Sequence, residues 1–336
     1  MTRLPLDRAE TWVAGLFEAG GASPEAARSV ARALVGAEAD GLKGHGLSRI
    51  PTYLAMLTAG KIDGRARPVA TRPRPGVLAV DARDGFAYPA IDLAIAELPA
   101  IARGQGVAAA PIRNSNHCGA AGLHVERLAG EGLVALLFAN TPEAIAPWGG
   151  RKAVFGTNPI AFAAPLAGRP PAVVDLALSK VARGPIVAAK QRGEAIPEGW
   201  ALDSDGRPTT DASAALAGTM IAMGDAKGAA LAFMVEVLAA ALVGARFATE
   251  ASSFLDDKGG PPRTGQLLLA IDPAAFAGAE AFAERMTTLA AAIEGQEGAR
   301  LSGARRLALR AQAQRSGVLI SPEIAANYGL PENSSP

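Results

Sequence analysis

The sequence predicts an α/β fold in which a helical layer built from both chain termini covers a central sheet unit. Three observations carry this. The first 60 residues have helical apolar spacing, the stretch from Arg72 alternates short apolar runs with turn residues, and the chain returns to helical spacing after Asp272. The 336 residues suffice for two or three structural units, and an apolar content of 49% excludes wholesale disorder.

In chain order, Ser23-Pro24-Glu25 is a helix start, with a hydroxyl cap, a proline at the first helical position and an acid in the first turn. The helix runs to about Asp40 with Ala26, Val30, Ala33, Leu34 and Ala37 on its apolar face, and Gly41 breaks it. A second helix starts near Arg49 and reaches about Thr58, before Gly60. Runs of strand length follow at 76–81, 106–112, 133–139, 160–163, 172–176 and 265–272, with helical segments at 88–103 and 119–131. Residues 184–218, rich in Gly, Pro and Asp, read as an irregular excursion, and 228–244 as a long buried helix. Helices return at 279–293 and 303–315, and residues 332–336 read as a loose tail. No fixed-period repeat is present.

Thirty-three basic residues face 32 acidic ones, a net charge of +1, so no nucleic-acid footprint is expected. The lone Cys118 excludes an internal disulfide and fits a reducing compartment. The N-terminus lacks the apolar stretch of a secretory signal, and Glu236 in mid-span of the most apolar segment argues against a membrane helix. The expectation is a soluble, cytoplasmic protein.

Common motifs are absent. No G-x-G-x-x-G follows a strand, and residues 260–266 have P-loop glycine spacing but end in Gln, not Lys. H-E-x-x-H, paired cysteines and G-x-S-x-G are missing, so neither a metal site nor a serine elbow is expected.

Chemistry concentrates instead around two of the three histidines. His45 lies in Gly44-His45-Gly46-Leu47-Ser48-Arg49, where a proton donor and a carboxylate-pairing guanidinium suit an acid substrate; the alternative is a loop histidine beside a surface arginine. His117 lies in Asn114-Ser115-Asn116-His117-Cys118-Gly119-Ala120-Ala121-Gly122, whose Gly/Ala helix start offers backbone N–H groups to an anion; the alternative is a polar turn. Cys118 reads as a small buried residue and His124 as structural. Lys227 opposes the macrodipole at a helix start, which a phosphate would compensate; alternatively it is a solvated lysine.

Taken together these segments resemble the second malate/L-lactate dehydrogenase family, NAD(P)-dependent oxidoreductases that include sulfolactate dehydrogenases and piperideine/pyrroline-2-carboxylate reductases. The resemblance runs through Ala39-Asp40, the His45 and His117 motifs, Ala146-Pro147-Trp148-Gly149-Gly150, Phe155-Gly156-Thr157-Asn158-Pro159 and Asp175-Leu176-Ala177. It continues in Ile196-Pro197-Glu198-Gly199-Trp200, Pro208-Thr209-Thr210-Asp211, Lys227-Gly228, Met234-Val235-Glu236 and Gly265-Gln266. It implies a homodimer with a non-Rossmann NAD(P)-binding sheet domain at 71–183 plus 255–279, a helical terminal domain at 1–70 plus 280–336, and a substrate-side segment at 184–254. It implies hydride transfer at C2 of a small 2-hydroxy or 2-oxo acid, with NAD or NADP as cofactor. His45 or His117 would handle the proton, and Arg49 and Thr157 would meet the substrate. His117, Cys118, Gly119, Ala120, Ala121, Asp175, Leu176, Ala177, Lys227, Arg300, Gly303 and Arg305 would line the cofactor.

Two departures bear on the branch. The family's usual Ser before the first His is Gly44, and the imine reductases' relay Asp falls at Pro185. A relay needs a carboxylate to orient the imidazole, so the hydroxy-acid branch, sulfolactate-like substrates included, is expected over reduction of cyclic imino acids. The rival of another class is a nucleotide-binding protein without catalysis.

Overall fold

The computed structural model describes residues 2–331; the tail expected at 332–336 lies outside the described residues. The chain opens with β1 (Thr2–Leu4), α1 (Leu6–Ala19), α2 (Pro24–Ala39) and α3 (Ile50–Thr58). The sheet region follows: β2 (Val69–Arg74), β3 (Val77–Asp81), α4 (Ala87–Gln105), β4 (Val107–Ser115), α5 (Ala121–Gly130), β5 (Val134–Ala139), β6 (Ile160–Leu166) and β7 (Arg169–Leu176). Next come α6 (Arg183–Arg192), β8 (Ala201–Leu202), β9 (Pro208–Thr209), α7 (Ala212–Ala217), β10 (Thr219–Met220) and α8 (Ala226–Glu236). The chain closes with β11 (Thr264–Ile271), α9 (Ala279–Glu294), α10 (Ala304–Ser316), β12 (Val318–Ile320) and α11 (Pro322–Tyr328).

Seven strands form one mixed sheet in the order β2-β3-β4-β11-β5-β6-β7, and every pairing except β3–β4 is antiparallel. The last of these strands in sequence, β11, sits at the centre, buried along nearly its whole length, which is why its sequence is a continuous apolar run rather than an alternating one. On one face α4 and α5 cover Leu78, Val80, Ile112, Leu137 and Leu268. On the other, Ala232, Val235 and Ala239 cover Phe138 and Leu267. A separate core joins the chain ends: Leu4, Val13, Phe17, Val30 and Leu34 pack with Ala313, Val318, Ile320 and Ile324, and β1 pairs antiparallel with β12.

Local signals explain most boundaries. Ser23 caps α2 by accepting from Ala26 N, with Pro24 at the first position, as the sequence predicts. Four expectations need correction. β2 was not foreseen because Pro73 interrupts it, but β2 is an edge strand, where a missing N–H is tolerated. The segment 184–218 is not irregular. It holds α6, α7 and, with β10 immediately after it, a small three-stranded sheet, β10-β8-β9, and Pro185 sits in the first turn of α6, where its lack of an N–H costs nothing. The long helix at 228–244 is α8 running into a π-helical turn at Val237–Ala241, and it is buried on one side only: Phe233 and Leu242 are 58% and 65% exposed. The His45 motif is not a loop but two 3-10 turns, Lys43–His45 and Leu47–Arg49. Among the described residues no helix is long and apolar enough to cross a membrane.

Candidate active site

A cavity of about 750 Å³ opens between the C-terminal end of α2, the start of α5, β7 and the segment that leads into α10. Its wall includes His45, His117, Cys118, Gly119, Ala120, Thr157, Asp175, Leu176, Ala177, Arg300, Gly303 and Arg305, all singled out from the sequence. Three expected residues are not in that wall. Ala121 is buried in the core under α5. Lys227 is exposed at the first turn of α8. Arg49 lies just behind His45, close enough for its charge to depress both histidines.

The His45 segment is held by its own backbone. Ser48 Oγ donates to Lys43 O (2.6 Å) and Arg49 Nε to Gly44 O (2.7 Å), while Leu47 N donates to Glu38 Oε2 of α2 (3.1 Å). Gly46 is required there, because a Cβ would lie 2.3 Å from Glu38 Oε2. At Gly44, by contrast, a Cβ would meet nothing within 4 Å, so the turn leaves room for a side chain that this protein lacks.

His117 follows β4 after Asn116. Its ring stacks on His45 with centroids 5.3 Å apart and an interplanar angle of 23°, and Phe254 lies 5.3 Å from it on another side. His117 Nδ1 is 2.5 Å from Tyr53 Oη, which is 3.0 Å from Tyr88 Oη. Burial, reinforced by the Arg49 charge, lowers the His45 pKa to about 4. Burial, Arg49 and His45 hold His117 well below the usual imidazole range. Both rings are therefore neutral in the free protein at neutral pH. His45 Nδ1 is buried with no hydrogen-bond partner among the described residues, so no carboxylate orients the ring through that nitrogen.

Gly119 turns the chain into α5 with φ +67°, and a Cβ there would come within 2.6 Å of Tyr88 Oη, so glycine is needed twice over. Asp175 Oδ2 accepts from Gly122 N (2.7 Å), taking a helix N–H that the side chain of Ala120, the N-cap residue, cannot. Burial raises the Asp175 pKa, which the Gly122 bond and the Arg306 charge oppose. Burial pushes the Cys118 thiol up to about 12, so it is inert as a nucleophile. His124 Nε2 lies 2.8 Å from Cys118 O and ties α5 to the loop before it.

The far wall is a charge cluster that sequence reading missed. Arg306 and Arg310 of α10 bridge Asp40 at the end of α2 and Glu126 of α5, with contacts between 2.6 and 3.0 Å. Arg306 Nη2 remains buried without a partner among the described residues, and α10 begins at Gly303 (φ +88°) with no side-chain cap. A strongly polar phosphate-bearing group fits such a wall, since it would meet an unpaired guanidinium N–H and an open helix N-terminus. Tyr53, Tyr88 and Phe254 were also missed.

A family model described as malate/L-lactate dehydrogenase matches residues 4–327. The chain belongs to that family. Among its malate/L-lactate dehydrogenase relatives, a (2R)-3-sulfolactate dehydrogenase (NADP(+)) of Chromohalobacter salexigens is 50% identical, with 93% of each chain covered. A Delta(1)-pyrroline-2-carboxylate/Delta(1)-piperideine-2-carboxylate reductase of Pseudomonas putida is 40% identical over 96% of this chain and 95% of that one. Among solved structures of the family, delta1-piperideine-2-carboxylate reductase from Pseudomonas syringae pvar. tomato superposes with a TM-score of 0.93 at 38% identity, covering 98% and 99% of the two chains. Sulfolactate dehydrogenase from Methanocaldococcus jannaschii gives 0.88 at 29% identity, covering 98% of each. Membership makes this chain an oxidoreductase and agrees with both branches to which its motifs are similar.

Proposed function

We propose that the protein interconverts a small 2-hydroxy acid and its 2-oxo acid, of malate, lactate or sulfolactate type, with NAD or NADP. The observation that carries this is the stacked His45–His117 pair on the cavity wall, with an Arg49 charge that lowers both pKa values and no carboxylate on His45 Nδ1 among the described residues. The 50% identical sulfolactate dehydrogenase supports the same branch.

In this reading residues 71–183 with 255–279 carry the cofactor in a non-Rossmann manner, which the largely antiparallel sheet favours. The terminal domain expected at 1–70 plus 280–336 covers it, in its described residues, as a helical layer, and 184–254 serve the substrate side. The Gly119–Ala120 turn, Asp175 to Ala177 and the segment from Arg300 to Arg306 would hold the dinucleotide. When bound, the nicotinamide supplies or takes the hydride at C2. Arg49, outside the cavity wall in the free protein, would turn its guanidinium to the substrate carboxylate, and Thr157, in that wall, would face its far end. His45 or His117 gives a proton to the C2 oxygen in reduction and removes it in oxidation. A carboxylate at Arg49 offsets the charge that depresses both rings, so substrate binding itself raises their proton affinity. Phe254 keeps water from the His117 face. The protein acts as a cytoplasmic homodimer, associating through the exposed apolar face of α8.

The second reading is reduction of cyclic 2-imino acids, favoured by the relatives in that branch. Against it stand the bare turn at Gly44 and the exposed Pro185. The test is NAD(P)H oxidation by purified protein with pyruvate, oxaloacetate, sulfopyruvate and the cyclic piperideine- and pyrroline-2-carboxylates. Turnover confined to the 2-oxo acids is expected. Fast turnover of the cyclic imines would overturn the branch, and cofactor binding with no turnover on any acid would support the non-catalytic rival.

A further inference from the structure

The two buried tyrosines behind His117 have no part in the scheme above. Tyr53 on α3 and Tyr88 on α4 are 1% and 2% exposed. Their hydroxyls form a chain that ends on the imidazole: Tyr88 Oη, 3.0 Å to Tyr53 Oη, 2.5 Å to His117 Nδ1. Tyr88 Oη has no hydrogen-bond partner besides Tyr53 among the described residues. The direction of the chain follows from the protons available. Each hydroxyl has one proton to donate, and burial keeps both phenols protonated, raising Tyr53 to about 12 and Tyr88 well above the usual phenol range.

If Nδ1 carried the proton, it would donate to Tyr53, Tyr53 to Tyr88, and the Tyr88 proton would be left buried with no acceptor. That incurs the desolvation cost of an unmade hydrogen bond. In the opposite direction Tyr88 donates to Tyr53, Tyr53 donates to Nδ1, and every proton in the chain is used. The remaining proton of the neutral ring then sits on Nε2, the nitrogen not turned toward Tyr53. A neutral imidazole N–H facing a cavity is a hydrogen-bond donor to a carbonyl oxygen.

We propose that Tyr53, backed by Tyr88, is a positioning residue that fixes His117 as its Nε2–H tautomer, so that His117 offers a hydrogen bond to the C2 oxygen. This rests on the dehydrogenase reading above and deepens it. It divides the labour between the stacked rings: His117 polarises the oxygen as a neutral donor, and His45, whose Nδ1 has no protein partner, carries the transferred proton.

The experiment is nitrogen-15 NMR on histidine-labelled protein at mildly alkaline pH. With only three histidines in the chain, the two-bond nitrogen–proton patterns that separate the tautomers are assignable by single His→Gln variants. The expected wild-type result is an Nε2–H pattern for His117. Tyr53→Phe should leave His117 as a mixture of tautomers and lower kcat about ten- to a hundredfold, with KM for the acid changed less than about twofold. Tyr88→Phe should do the same more weakly. An Nδ1–H pattern in the wild type overturns the proposal, as does a Tyr53→Phe protein with unchanged tautomer and kcat. The wild-type spectrum decides even if the variants fold poorly. It also decides if no acid is turned over, a result that would sink the proposed reaction and not the tautomer.

Discussion

His45 shows how burial and one neighbouring charge set a residue's chemistry. Its folded pKa of about 4 lies below the value of 6.5 it has when unfolded. As pH falls through this window the unfolded chain takes up the proton first, so the stability tied to the neutral ring is present above about 6.5 and lost on the way down to 4. The full effect is on the order of 3 kcal/mol. His45→Gln protein should therefore show a shallower fall of Tm between those pH values than wild type. Parallel slopes would mean that the ring titrates normally. The comparison with wild type removes the contribution of the buried carboxylates Glu38, Asp175 and Glu236, whose raised pKa values act in the opposite sense. The same residue accounts for what the sequence revealed. His45 and His117 were legible because each sits in a polar, glycine-flanked motif, whereas Asp175, set among apolar residues, was reached only through the family resemblance. Tyr53 and Tyr88 were not, because each lies on the buried face of a helix, where a tyrosine looks like any core aromatic until the fold sets its hydroxyl against a histidine.

At the scale of elements, the cavity depends on how α10 is fastened. Asp40 is fully buried between two arginines that come from 266 and 270 residues away. Burial raises and the arginine bonds lower the Glu126 pKa, with the bonds prevailing. Asp40→Asn would leave Arg306 and Arg310 sharing one carboxylate, with a loss of about 3 kcal/mol in denaturant unfolding. It should also weaken dinucleotide affinity, since Gly303 to Arg306 form part of the same wall. A variant as stable as wild type would mean that the quartet is replaceable by neutral packing. A second fastening is Lys61, whose buried ammonium donates to the carbonyls of Ser253, Asp256 and Lys258 at 2.7 to 3.0 Å and so holds the loop that presents Phe254 to His117. Strand and helix positions in the central sheet were legible from period and turn residues. The pairing partners were not, because β11 inserts between β4 and β5 from far along the chain, and no local pattern records which neighbour a buried strand will meet.

For the whole molecule the exposed apolar face of α8 is the main unsatisfied feature. Leu231, Phe233, Met234 and Val237 are all exposed on it, with Leu242 just beyond the π turn. Exposed apolar stripes of this kind mark interaction surfaces, a subunit interface among them. Light scattering coupled to size exclusion should give a dimer, and Phe233→Glu should give a monomer with impaired turnover. A monomeric wild type would remove the proposed assembly.

The β1–β12 pairing has a consequence for synthesis. Thr2 finds its partner at Ile320, and the guanidinium groups that seal Asp40 arrive only with α10. A growing chain can collapse its sheet once β11 has emerged, but its first strand must wait until β12 has been made. The binding cavity is thus completed only after α10 has been made, so a nascent chain stalled before α10 should fail to retain cofactor however well its central sheet has formed.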